Sequence, residues 1–252
     1  VTKTAGVVFS PSFVQGFTAA LDWYNIQVDN RIVGVSATYL ANQCYVTGVA
    51  ALCGLHTRNA TGQIDSFLTG NANLGSMRTE GIDLSLMYRL PAQSWGKLTV
   101  RSETSYIKKF ETKSTETADW SDAGVGENDL YRVKSNLGID WTMGDFGVTL
   151  GTRYYSASKT NGWDCDPTAP VECSNPDGEW TGGTGYNKLK ALVYNDLSFS
   201  YKAPWKGTLL VGVNNVFNKK PRINYDIGSS SSSVNAELPI DRSWFVRYSQ
   251  DF

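Results

Sequence analysis

Nowhere do the 252 residues approach 18 consecutive apolar positions, which excludes a transmembrane helix. Histidine occurs once, at His56, and neither cysteine pair has C-x-x-C spacing. A four-ligand zinc centre therefore lacks its donors, and His56 is not expected to hold a metal. G-x-S-x-G, P-loop and H-E-x-x-H patterns are all missing, so any nucleophilic triad would have to use His56 and no cofactor is expected. Paired carboxylates for glycoside hydrolysis are the enzymatic reading left open. Basic runs with interleaved aromatics are also missing from a chain with 23 Lys and Arg against 24 Asp and Glu, which argues against nucleic acid as a partner. The chain opens at Val1 directly on strand-like sequence, with neither a charged n-region nor an apolar h-region, so Val1 is expected to be a fragment boundary.

What the chain does contain is 24 Gly, 13 Tyr and 8 Trp among many Ser, Thr and Asn, with little leucine. That usage favours strands joined by many turns over helices. The four cysteines fall as two local pairs, Cys44 with Cys53 and Cys165 with Cys173, each in a segment rich in Gly, Asn, Asp or Pro. Two small loop-closing disulfides in an oxidising, extracytoplasmic compartment are expected.

Strands that meet lipid on one side and water on the other must alternate apolar and polar residues over roughly 10 positions. Tyr131, Val133, Leu137, Ile139 and Trp141 share one face, opposite Arg132, Lys134, Asn136, Gly138 and Asp140. Ile82, Leu84, Leu86 and Tyr88 alternate in the same way, as do Val193, Leu197, Phe199 and Tyr201. With Thr2–Phe9, Gly16–Asp29, Lys97–Phe110, Gly147–Ser158, Thr208–Phe217 and Arg242–Phe252, nine long strands are predicted. In Gly16–Asp29 the apolar parity shifts from Trp23 to Tyr24, which predicts a bulge or an exit from the lipid zone.

A soluble sandwich with a solvated charged face would show the same alternation. The connections separate the two cases. Ser10–Gln15, Pro91–Trp95, Thr142–Phe146 and Lys202–Gly207 are short, and they alternate with the long links Asn30–Gly75, Glu111–Leu130, Lys159–Lys190 and Asn218–Asp241. Tight turns on one side and extended loops on the other are the pattern of an antiparallel transmembrane β-barrel with periplasmic turns and extracellular loops. On that reading the chain is all-β, Phe252 lies at the periplasmic rim, and Trp244, Val246, Tyr248 and Phe252 face outer-membrane lipid. Trp95, Trp141 and Trp205 fall at the turn-side ends of strands, where amphipathic rings favour the membrane interface.

Three segments then carry a resemblance. GTLLVGVNNVFNKKP, from Gly207 to Pro221, resembles the penultimate strand of TonB-dependent outer-membrane receptors, in which an apolar run ends in N-x-F-(N/D). NLGSMRTEGIDLSLMYR, from Asn73 to Arg89, is similar to that family's recurrent strand with a Gly-Ile-Asp step after a Thr. Residues 1–30 resemble its hairpin of a strand, a Pro turn and a Tyr-rich strand leading to a large loop. The likeness covers nearly the whole chain. It implies the C-terminal part of a barrel of about 22 strands, without the N-terminal plug domain through which the TonB complex acts. An aromatic terminus resembles the signal read by the barrel assembly machinery, although the polar Gln250 departs from it.

The resemblance also implies a receptor and not an enzyme, with a small-molecule nutrient (siderophore, cobalamin, saccharide or peptide) gripped by the long loops. In Asn30–Gly75 a helical stretch is predicted over Val35–Val46 and a small hairpin around Asn59–Leu68, with His56 and Arg58 as candidate contacts. Trp120 is the candidate in Glu111–Leu130, and Trp163, Trp180 and Tyr186 are those in Lys159–Lys190, where aromatics among carboxylates suit sugar stacking. Those carboxylates lack the register of an EF-hand. The alternatives are a TonB-independent channel or adhesin barrel, a soluble sandwich binding domain and an outer-membrane hydrolase.

Overall fold

A computed structural model describes residues 1–48, 53–127, 130–159, 178–180, 187–221 and 241–250, with the backbone alone at 178–180 and 187–188. In chain order the elements are β1 (Thr2–Phe9), β2 (Phe17–Gly34), α1 (Ala37–Thr47), β3 (His56–Arg58), β4 (Ile64–Phe67), β5 (Asn71–Arg89), β6 (Lys97–Lys113) and β7 (Ser121–Asp122). There follow β8 (Val133–Met143), β9 (Phe146–Tyr155), β10 (Ser158–Lys159), β11 (Gly178–Trp180), β12 (Asn187–Leu189), β13 (Leu192–Lys202), β14 (Gly207–Asn214) and β15 (Ser243–Gln250). The nine long strands line up in sequence order in one sheet, β1-β2-β5-β6-β8-β9-β13-β14-β15, and β7 adds to β6. Each predicted long strand is present. Small sheets β10-β12-β11 and β3-β4 belong to the long links.

Two compact units partition the chain. One comprises Val1, Ile26–Arg78 and Glu111–Ala123; the other comprises Thr2–Asn25, Thr79–Phe110 and Gly124–Phe252.

In the larger unit the register sorts the side chains. Val100, Ile139, Leu150, Leu197, Val213 and Trp244 form one cross-strand row over β6, β8, β9, β13, β14 and β15. One residue along, Thr99, Asp140, Thr149, Ser198, Gly212 and Phe245 form a row on the opposite face. Because the side-chain period is two, slipping any strand by one residue would exchange its apolar and charged sets, so the register is strongly specified. Apart from Val213, which is 4% exposed, the apolar face is not buried. Trp244 is 71% and Val246 69% exposed, and Phe146, Leu197, Phe199 and Tyr248 are exposed as well. A soluble sandwich hides that face against a second sheet, so these exposures speak against the sandwich alternative.

A hydrophobic cluster lies instead at the long-loop ends of β8, β9 and β13, where Tyr131, Leu192 and Tyr194 are at most 1% exposed and join Tyr155. This corrects the sequence reading of Tyr131. It was expected on the lipid face with Val133, but β8 begins only at Val133, and the Tyr131 ring packs 5.0 Å from that of Tyr155.

Several strands also outrun their predicted ends. β2 continues to Gly34, β5 begins at Asn71 and β6 continues to Lys113, well past the 9–11 residues a tilted strand needs to cross a bilayer. Apolar periodicity fades toward the long links, whereas backbone pairing continues into them. β2 shows no break at Trp23–Tyr24. The Tyr24 hydroxyl turns to the side of Gly81, where an added Cβ would meet it at 2.3 Å.

At the turn side the aromatics satisfy their own polar atoms. The Trp141 indole N–H donates to the Trp95 carbonyl at 2.9 Å, and Trp205 donates to the Tyr248 hydroxyl at 3.1 Å. Tyr248 donates in turn to Gln250 Oε1 at 2.5 Å, and the Gln250 amide donates to the Trp205 carbonyl at 3.0 Å. Gln250, the departure from an apolar terminal pattern, is thus the residue that ties β15 to the preceding turn. Phe252 lies outside the described residues.

Candidate functional site

In the smaller unit the first long link folds into a clasped cap. Ser36 caps α1 by accepting from the Tyr39 N–H, and Gly48 ends the helix with φ 64°. A disulfide joins Cys44 to Cys53. Leu55 and Leu68 flank the β3–β4 hairpin and, with Val35, Tyr39, Leu40 and Leu74, line an apolar cavity of about 430 Å³. Closing a loop this short by a disulfide is worth about 2.5 kcal/mol in unfolded-chain entropy. Replacing both cysteines with serine is therefore expected to leave the long strands intact while speeding amide exchange in Ala37–Phe67 by roughly 50-fold or more, read by hydrogen-exchange mass spectrometry. The Cys165–Cys173 pairing, together with Trp163 and Tyr186, lies outside the described residues, and Trp180 is placed only by its backbone, paired with Asn187 in β11–β12.

His56 and Arg58 share strand β3, but a register shift between Thr57 and Arg58 breaks their alternation. His56 packs its ring 5.7 Å from that of Phe67. Arg58 donates to the Gly62 carbonyl at 2.7 Å, holding the hairpin turn that Asn59 also braces by accepting from Thr61 and Gln63. The structure thus gives both residues local packing roles and does not join them to Trp120 in one cluster.

Of the predicted contacts whose side chains are described, Trp120 has the richest surroundings. The Arg78 guanidinium lies 4.3 Å and the Lys113 ammonium 5.2 Å from its ring centroid, and Arg78 is also paired with Glu111. Arg78, Lys113 and Glu111 escaped the sequence reading because 33 residues separate Arg78 from Glu111, and only the β5–β6 pairing brings them together. In the same unit Asp29 accepts from the Gln27 amide at 3.0 Å.

The polar face of the larger unit is a ladder of paired charges. Arg101 meets Asp140 at 3.0 Å, and Asp140 accepts from Thr149 at 2.8 Å. Arg153 meets Asp196 at 2.9 Å, and the Asp196 carboxylate also accepts from the backbone N–H of Asn215 at 2.7 Å. Gly138 pairs with Gly151 on this face, and Arg101, Glu103, Arg153 and Asp196 rim a notch of about 250 Å³ around them. Asn215 is fully buried in left-handed conformation (φ 52°). It exchanges side-chain bonds with the backbone of Lys219, donating at 2.9 Å and accepting at 2.7 Å. This explains the N-x-F-N element physically: its first Asn closes β14 and ties the turn to β13. On the opposite face Trp244 and Val246 project with Tyr248 from β15.

Residues 1–216 match the model of the family described as TonB dependent receptor-like, beta-barrel. The chain belongs to the TonB-dependent receptor β-barrel family. Among solved structures it is similar to the ferric enterobactin receptor of Pseudomonas aeruginosa, with a TM-score of 0.61 and 17% identity, covering 98% of this chain and 30% of that one. It is also similar to the siderophore receptor PirA from Acinetobacter baumannii, with a TM-score of 0.58 and 16% identity over 98% of this chain and 31% of that one. The ferripyoverdine receptor of the Pseudomonas aeruginosa outer membrane gives a TM-score of 0.52 and 14% identity over 92% of this chain and 24% of that one. No curated protein sequence matches. The chain therefore spans less than a third of the length of these structures, and its nine-strand sheet with one apolar and one charged face is a stretch of TonB-dependent receptor barrel wall.

Proposed function

We propose that residues 1–252 form the C-terminal part of a Gram-negative outer-membrane receptor whose loops capture a ferric siderophore for TonB-energised uptake. The observation that carries this reading is the two-faced sheet, apolar and largely exposed on one side and lined with Arg–Asp pairs on the other, with β2, β5 and β6 running on at the long-loop end. Lipid takes the first face, a watery lumen the second, and the clasped cap and Trp120 cluster stand outside the cell. Siderophore is favoured over cobalamin, saccharide or peptide because the structures named above are a ferric enterobactin receptor, a siderophore receptor and a ferripyoverdine receptor. On this reading β15 is recognised by the barrel assembly machinery, the short turns face the periplasm, and the receptor meets TonB through a plug domain.

The test is radioiron uptake by a Gram-negative host stripped of its own ferric-siderophore receptors and expressing the intact protein that carries this chain. Uptake of at least one ferric siderophore, abolished when TonB is deleted, is expected. Uptake that persists without TonB would place the protein among channels instead.

A further inference from the structure

A cavity of about 560 Å³ lies in the larger unit at the turn side of the sheet, where residues 92–97, the β8–β9 turn and the end of β13 come together. Two lysines line it, Lys97 and Lys202, with Asp145 as the single carboxylate, so the lining carries a net charge of +1 (two cations less one anion). Among the described residues neither lysine meets a carboxylate in an ion pair, whereas Arg101 and Arg153, farther from the turns on the polar face, each do. Ser94, Thr142 and Ser200 add hydroxyl donors to the same lining. Ammonium groups beside hydroxyls suit a phosphate, which lysine binds as a point charge.

The lining also draws on both faces of the sheet. Thr142, Gly147 and Ser200 belong with Lys97 to one cross-strand row of the polar face. Met143 and Phe146, which line the cavity too, belong to the apolar face, in a row with Tyr201, Leu209 and Tyr248. Met143 and Phe146 are each 48% exposed, and Phe199, whose ring lies 5.9 Å from that of Phe146, is 43% exposed. A water-soluble anion would leave this apolar rim wet, whereas an amphiphile covers it with its own apolar part.

We propose that this cavity binds the headgroup of an anionic phospholipid, its phosphodiester drawn to Lys97 and Lys202 and its acyl chains lying along Met143, Phe146 and Phe199. Basic residues at the end of a membrane-spanning segment attract anionic headgroups, each cation near the surface adding about fivefold in affinity. The proposal rests on the membrane placement in the uptake reading, with the short turns at the inner leaflet, and is independent of which nutrient is imported.

Native mass spectrometry of the intact protein carrying this chain tests it, with dioleoylphosphatidylglycerol and dioleoylphosphatidylethanolamine offered in equal amounts in detergent. For one net cation, retention of the phosphatidylglycerol is expected to exceed that of the ethanolamine lipid at least about fivefold. Lys97→Gln combined with Lys202→Gln should remove the preference, and Lys97→Arg combined with Lys202→Arg should keep it. Lys219→Gln, the same loss of charge in the long link after β14, should leave it intact. These side chains are exposed, so the melting temperature of each lipid-free variant should equal that of the parent. A preference below fivefold, one that survives the double glutamine variant, or one lost in Lys219→Gln would each overturn the proposal. So would displacement of the bound lipid by an equal concentration of inorganic phosphate or of hexaglutamate, which would assign the cavity to a soluble anion or an acidic peptide instead. Loss of TonB-dependent iron uptake, measured separately in cells, would count against the uptake reading and not against lipid retention.

Discussion

Substituting Gly16 with alanine is expected to prevent the intact protein from accumulating as a folded species, with a loss of at least about 4 kcal/mol. Gly16 has φ +81°, and an added Cβ would stand 1.9 Å from the carbonyl oxygen of Arg89. The left-handed conformation alone costs a non-glycine residue about 1–2 kcal/mol. The clash adds more because the obstructing atom is backbone and has no rotamer to escape into. Nor can the Arg89 backbone retreat cheaply, since its N–H donates to the Gly16 carbonyl at 2.8 Å, coupling the β1–β2 turn to the end of β5. Gly144 provides the control. It too is left-handed, at φ 56°, but an added Cβ there meets nothing within 4 Å. Gly144→Ala should cost only about 1 kcal/mol, and protease-resistant protein in outer membranes measures both. Equal yields of the two variants would show that strain, and not the close approach, governs these turns.

The second large effect is expected at Asp196. One carboxylate serves both the Arg153 guanidinium and the buried backbone N–H of Asn215. Asp196→Ala strips both of that acceptor at once. Breaking a partly buried pair from one side costs roughly 3 kcal/mol, because the cation and the N–H lose this acceptor while keeping their desolvation penalty. Asp196→Asn keeps one oxygen for the Asn215 N–H but loses the charge, and should cost about half as much. Urea unfolding of the intact protein in detergent gives both values. A loss under 0.5 kcal/mol for the alanine variant would mean that water replaces the carboxylate freely.

Strand number, order and faces were legible in the sequence because a wall between lipid and water imposes a period of two, as in Val193–Tyr201 and Lys97–Phe110. The long-loop ends of strands were less so. Asn30 was expected to begin a loop, yet β2 pairs on to Gly34, because outside lipid the backbone needs partners but the side chains need no polarity. Tyr131 obeyed the alternation on paper and still folded into a core. Val35–Val46 foretold α1 to within two residues because the helix carries its own caps. The Trp120 surroundings were hidden for the opposite reason: Arg78, Glu111 and Lys113 converge only through pairing between strands.

The tie between Trp205 and Gln250 bears on how the last described strand is held. β13 and β14 are joined by residues 203–206, whereas β14 and β15 are joined by residues 215–242, a connection about seven times longer. Closing it costs about 1.7 kcal/mol more in chain entropy, so β15 has more to gain by leaving β14 than β14 has by leaving β13. Its far end, opposite the long connection, is where Gln250, Tyr248 and Trp205 bond one another. An unzipping that starts at that mouth must first break this ring of three bonds, so the late-zipping strand is fastened at the point where fraying would otherwise begin.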